Sequence, residues 1–226
     1  MSTISDIRQG IASSHDAIEK TPYSIAMMSG AMRRDDYANG LAQLMFVHRA
    51  METSLASTDG VKDFFEPEME RTETIRRDLL SLGFLPDSFS PITQTSDIVS
   101  VLNRWQATKP ASLLGCLYIL EGSRMGSLVI ARPLAASLGL PRDTAAGTEY
   151  HTQGAQTAPA RLRRLKDAID SSPYAIDHAS DIADGAVTFM DMLNVMYGAL
   201  DVRSVEPQTK AVCPFSSGHT AQLRSA

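Results

Sequence analysis

Ile4, Ile7, Ile11, His15 and Ile18 follow one another at steps of three, four, four and three. A helix gathers that spacing into one stripe, whereas a strand scatters it over two faces. The segment is therefore expected to be helical, with four isoleucines to bury and an imidazole in line with them, aimed at the interior. A histidine so placed either bonds to a backbone carbonyl inside a core or holds a metal against an apolar ligand. The stripe alone leaves both open.

Helical rhythm continues along most of the chain. It predicts helices over about 4–20, 24–32, 35–57 with Asp35 as N-cap, 66–82 closed by Gly83, 98–107, 112–138 with a bend at Pro133, 159–171 and 176–200. Residues 139–158 read as a polar loop, and 201–226 as a polar tail that packs loosely or not at all. Neither repeats nor strand-like alternation occur. The fold class expected is all-α, with one domain over 1–200 and a C-terminal tail over 201–226. A chain of 226 residues is long enough for one ample core.

Several function classes are disfavoured. The net charge of −5 argues against a nucleic-acid binder. No uninterrupted apolar run approaches the roughly 18 residues of a membrane helix. The N-terminal segment carries Asp6 and Arg8 and no apolar core, so no secretory signal is expected. Cys116 and Cys213 are too few for a disulfide scaffold or a Cys-rich zinc site. The expectation is a cytoplasmic protein, a monomer or weak dimer.

The long helix over 112–138 is apolar nearly all round and should be central. Gly122 and Gly126 lie four apart within it, with Gly115 before them and Ser123 and Ser127 beside them. Each glycine costs about 1 kcal/mol relative to alanine in a helix. Two explanations stand: close helix packing, or a ligand lying against bare backbone. Taken with His15, they suggest a flat macrocycle held between an axial imidazole and a backbone-lined pocket for a diatomic gas.

Four stretches resemble the biliverdin-producing heme oxygenases, most closely the bacterial branch. They are Ile7 to Glu19; Phe65-Glu66-Pro67-Glu68 through Arg71, with Arg77-Asp78-Leu79 and Leu82-Gly83 beyond; Leu117-Tyr118-Ile119-Leu120-Glu121-Gly122-Ser123-Arg124-Met125-Gly126; and Ala186 to Asn194. The third is the most specific. The resemblance implies heme between a proximal and a distal helix, as both substrate and cofactor. It implies oxidative opening of the ring to biliverdin, CO and ferrous iron. Dioxygen and electrons from a separate donor, such as a ferredoxin or a reductase, are consumed.

Roles then fall on particular residues. His15 is the expected iron ligand, with Glu19 one turn on to orient it. Arg8 is expected at one heme propionate, with Tyr118 nearby. The second propionate is assigned to the basic cluster Arg161, Arg163, Arg164 and Lys166, with Arg161 and Arg164 favoured. Phe189 stands where the family has a heme-facing phenylalanine. Gly122 and Gly126 match the distal glycines, and Ser123 stands where relatives carry Asp or a small polar residue. Its hydroxyl can anchor a proton-delivering water or bond back to a carbonyl. Met125 and Ser127 depart from the family's usual leucine and glycine. Ser123 and Ser127 leave open heme binding without turnover.

A heme-free member of the broader architecture is disfavoured. No Glu-x-x-His occurs for a di-iron centre, and Cys116 sits in an apolar run. Cys213-Pro214-Phe215 resembles a heme-regulatory Cys-Pro motif, on three residues only. His48 and His178 have carboxylates one turn on, Glu52 and Asp181. Such single pairs point to hydrogen bonding or solvation, and His151 and His219 lack even that.

Overall fold

A computed structural model describes residues 2–141 and 144–202. The tail motif around Cys213, and His219, lie outside the described residues. Those described form ten α-helices: α1 Thr3–Ile18, α2 Pro22–Ser29, α3 Arg34–Ser57, α4 Thr72–Ser81, α5 Thr93–Thr108, α6 Ser112–Ser137, α7 Glu149–Thr152, α8 Ala158–Ser171, α9 Pro173–Asp177 and α10 Ala179–Gly198. The fold is all-α, as the periodicity requires.

The helix ends have local causes. The Ser2 hydroxyl accepts from the Ser5 N–H at the start of α1, and Thr21 accepts from Ser24 at the start of α2. Gly30 closes α2 in the left-handed conformation (φ 72°). Asp35 is not the cap of α3. Arg33 precedes that helix without a side-chain bond, and Asp35 lies in its first turn, where a negative charge suits the dipole. The helix expected from 66 begins only at Thr72, because a 3-10 turn over Pro67–Met69 intervenes. Its start is capped from α3: Glu52 Oε1 accepts from the Arg71 N–H (2.6 Å) and the Thr72 N–H (3.0 Å). The helix expected over 176–200 is two helices, parted at His178 (φ −114°). The expected loop over 139–158 contains the four-residue α7, too short to show a period.

Helix α10 is the central support, with α1 and α6 both packed along it and hardly touching each other. Glycines set both seats. A Cβ at Gly10 would fall 2.6 Å from Val187 Cγ2. One at Gly115 would fall 2.1 Å from the Ile182 carbonyl oxygen, and one at Gly185 would fall 2.5 Å from the Ser112 carbonyl oxygen. At Gly115 and Gly185 the neighbour is backbone, which admits no side chain, and at Gly10 it is the methyl of a packed valine. The α3–α4–α5 group packs together, while α8 lies against α6 and α1.

The two halves of α6 differ. Every residue from Ser112 to Glu121 is buried, but Ser123, Leu128 and Val129 are exposed, and Gly122, Met125 and Gly126 are half-buried. By length and composition α6 could cross a membrane (mean hydropathy 1.4 over 18 residues), which an uninterrupted-run criterion overlooks. With 61% of that window buried in the fold, it is the core helix.

Candidate functional site

His15 lies on the last turns of α1. Ile4 and Ile7 are buried and Ile11 and Ile18 partly so, while the His15 side chain is 50% exposed. The imidazole therefore stands where the stripe leaves the core, not inside it. That corrects the sequence expectation, because only the first half of α1 is fully covered by its neighbours. Glu19 Oε1 is 3.6 Å from His15 Nδ1. This is too long for a hydrogen bond, but close enough to favour an N–H at that nitrogen. A Ser14–Asp191 hydrogen bond pins this end of α1 to α10.

On α6 the glycine step is open. An added Cβ at Gly122 or Gly126 would meet nothing within 4 Å. Packing thus accounts for Gly115 and not for Gly122 or Gly126. Ser123 is exposed, and its hydroxyl donates to the Leu120 carbonyl at 2.7 Å. Of the two roles open to it, the carbonyl bond uses the donor, and its lone pairs face outward. Ser127 is buried, bonded to the Ser123 carbonyl at 3.4 Å.

A basic corner joins α1, α6 and α8. Lys166 Nζ lies 6.0 Å from the centroid of the Tyr118 ring. Burial, and then the charge of Arg8, depress the Lys166 ammonium. Burial raises the Tyr118 phenol, and Arg8 opposes that rise. The structure thus brings Arg8, Tyr118 and Lys166 together, with the carboxylate of Asp170 acting on Tyr118 and that of Asp167 on Lys166; two adjacent cations around a phenol can meet a further carboxylate. Lys166, not Arg161 or Arg164, is the member of the basic cluster at this corner. Arg161 is buried, its Nε donating to Glu121 Oε2 at 2.6 Å. Arg164 lies at the surface, forked onto Glu66 at 3.1 and 2.5 Å. Both guanidinium groups are committed elsewhere, against the propionate roles expected of them. Phe189 is also corrected. Ile182, Ala186, Phe189, Leu193 and Met196 form the buried stripe of α10, so its ring is enclosed in the core.

A polar layer behind α6 was not foreseen. Arg124 donates to the carbonyls of Tyr150 and Gln153. His48 Nε2 lies 3.2 Å from the Tyr150 hydroxyl, and Asp78 accepts from the Glu149 and Tyr150 N–H groups at 2.8 and 2.7 Å. Burial, then the charges of Arg71 and Arg124, lowers His48 to about 3. Burial and Arg124 lower His151 to about 3. Burial raises Asp78 to about 6, against its backbone hydrogen bonds. The signal in the sequence is Glu121 and Arg124, two charges three apart midway along a largely apolar helix whose third charge is Arg132. No group of three metal-binding side chains occurs among the described residues.

This architecture recurs in solved structures. Heme oxygenase from Leptospira interrogans superposes with a TM-score of 0.79 at 22% identity, covering 88% of this chain and all of that one. Heme oxygenase 1 of Synechocystis sp. PCC 6803, solved in complex with heme, superposes at 0.78 with 21% identity, covering 89% of this chain and 93% of that one. The all-α, single-domain, heme-oxygenase-like fold is thereby defined. The heme oxygenase family model matches residues 1–196, and the chain belongs to that family. A heme oxygenase from Guillardia theta is 22% identical over 226 residues, spanning 96% of this chain and 94% of that protein.

Proposed function

We propose that this protein is a biliverdin-producing heme oxygenase of the bacterial kind, with residues 1–200 as the catalytic domain. The observation that carries the reading is the open glycine step. Gly122 and Gly126 leave bare backbone with nothing within 4 Å of either missing Cβ, on a helix that shares its support with the helix bearing an exposed histidine. These residues fit heme: a nitrogen donor on α1, two positions one turn apart without side chains on α6, and the cations Arg8 and Lys166 for carboxylates. Heme, when bound, supplies iron that activates dioxygen and a ring that, as substrate, is opened to biliverdin, CO and ferrous iron with external electrons.

The chain's own residues do the rest. His15 offers Nε2 to the iron, while Glu19 beside Nδ1 favours the tautomer that frees Nε2. Gly122 and Gly126, with nothing where their side chains would stand, would leave room for dioxygen beside bound heme. Ser123 Oγ, its donor on Leu120, accepts from an ordered water that relays protons. Arg8, Tyr118 and Lys166 hold propionate at their corner. An acidic electron donor, such as a ferredoxin, docks against the exposed cations of α8, Arg163 and Arg164. A second reading, heme binding without turnover, is favoured by Ser123, a back-bonded hydroxyl that carries no charge, and by Ser127, which adds a side chain where the family has a further glycine.

Hemin titration followed by ascorbate or a ferredoxin system in air separates the two. The expected result is a Soret band that decays as biliverdin absorption grows. A Soret band that persists under reductant and oxygen establishes the second reading, and no band at all refutes both. His15→Ala is expected to abolish the histidine-ligated spectrum. An unchanged spectrum removes His15 from the iron.

A further inference from the structure

The guanidinium groups of Arg71, Arg124 and Arg161 come from three separate segments and converge behind α6. All three residues are at least nine-tenths buried, at 3%, 3% and 2% exposure. Each keeps donors that no described residue accepts: Arg71 Nε and Nη2, Arg124 Nε, and Arg161 Nη2. Their meeting point is the Gln153–Gly154 segment. Arg124 donates to the Gln153 carbonyl. A Cβ at Gly154 would lie 3.7 Å from Arg161 Nη1 and 3.9 Å from Arg71 Nη2. Four buried guanidinium nitrogens without an acceptor in three neighbouring residues are exceptional, since buried donors are almost always paired, and one of them, Arg71 Nη2, is placed at Gly154.

The charges do not balance either. Glu121 is bound to Arg161, and Glu52 accepts the backbone N–H groups of Arg71 and Thr72. Two carboxylates thus face three guanidinium groups. Asp78 bonds to the α7 backbone and is not among the charges that act on Arg71 or Arg124, whose acidic neighbours are Glu121 and, for Arg71, Glu52. The neighbouring imidazoles of His48 and His151 are neutral near pH 7, held at about 3 by burial first and by arginine charge second. Arg124 is lowered only to about 10, chiefly by burial and then by Arg71, so it stays charged. Water would satisfy the N–H groups but leave the surplus charge uncompensated in a region of low dielectric.

We infer that Arg71, Arg124 and Arg161 form a buried binding site for one small monovalent anion of halide size, next to Gly154 and behind the distal helix. One surplus positive charge calls for a monovalent ion. Burial favours one that sheds its water easily, which a multiply charged phosphate does not. The site is separate from the proposed heme cleft, and its test uses no heme.

Crystals of the full chain grown in sodium bromide, with diffraction data collected at the bromine absorption edge, decide the matter. The expected result is an anomalous peak in contact with Arg71 and Arg161. Density there without anomalous signal, or anomalous peaks confined to the surface, overturns the inference. In solution, bromide replacing gluconate at constant ionic strength is expected to raise the melting temperature of the wild-type chain, as a ligand of the folded state does. Arg71→Met, which removes the surplus charge, is expected to lose that rise. An undiminished rise in the folded variant contradicts the site. Should the variant fail to fold, the wild-type diffraction experiment still decides.

Discussion

Gly115 and Gly122 stand seven residues apart on α6, and the space around them could hardly differ more. A methyl group at Gly115 would be driven into the Ile182 carbonyl oxygen at 2.1 Å and the Ala186 nitrogen at 2.5 Å. At Gly122, or at Gly126 one turn on, it would touch nothing within 4 Å. The first glycine is required by a neighbouring backbone. The other two weaken the helix without any packing return inside the protein, so their reason lies in what the open side is for. Spacing groups the three glycines together. Only the third dimension separates them.

The largest expected effect breaks the buried side of this contrast. Gly115→Ala is expected to destabilise the fold by about 3 kcal/mol or more, since backbone must move to admit the methyl group. Urea unfolding measures it, and a midpoint equal to that of the wild type would show that the close approach does not exist.

Acid is expected to act on the same buried side, by a somewhat smaller amount per pH unit. The folded state holds His48 and His151 at about 3, whereas the ordinary value is 6.5. Below 6.5 the unfolded chain therefore binds more protons than the folded one, and stability falls as pH falls toward 3. The slope is about 1.4 kcal/mol per pH unit for each histidine. Asp78, raised from 3.8 to about 6, acts with the opposite sign between those values and offsets roughly one histidine there. Urea midpoints from pH 7 to pH 4 are thus expected to decline. His151→Phe, which removes a ring with no hydrogen-bond partner among the described residues, is expected to flatten the decline. An equally steep decline in that variant would clear His151 of any part in it.

The smallest stability effect sharpens the open side. Gly126→Ala is expected to leave stability unchanged or raise it by up to about 1 kcal/mol, the ordinary helical gain. It is also expected to slow or redirect hemin breakdown in the ascorbate assay. A clear loss of stability would mean that Gly126 packs against something after all.

Local features were the legible ones. The stripe of α1 and the extent of α6 could be read because helical periodicity is a property of near neighbours. The exposure of His15 could not, because it depends on how far α10 covers α1. The burial of Arg161 was hidden for the same reason, its partner Glu121 being 40 positions away on another helix. The corner where Arg8, Tyr118 and Lys166 meet was half legible: Arg8 and Tyr118 were named, but spacing along α8 could not choose Lys166 from the four cations Arg161, Arg163, Arg164 and Lys166. Glu52 capping α4 from α3 likewise has no sequence signature.

The glycine seats on α10 have a mechanical consequence. From Gly115 to Gly126 is eleven residues, an arm of about 16 Å at the helical rise, while from Gly10 to His15 is five, an arm of about 7 Å. A tilt of about five degrees about its seat displaces Gly126 by about 1.4 Å, but the same tilt displaces His15 by less than half as much. The Ser14–Asp191 bond further restrains the shorter arm. On α6 the Glu121–Arg161 pair and the Arg124 bonds to the Tyr150 and Gln153 carbonyls restrain the longer arm from behind, so each wall of the gap is held by polar bonds on the side away from it.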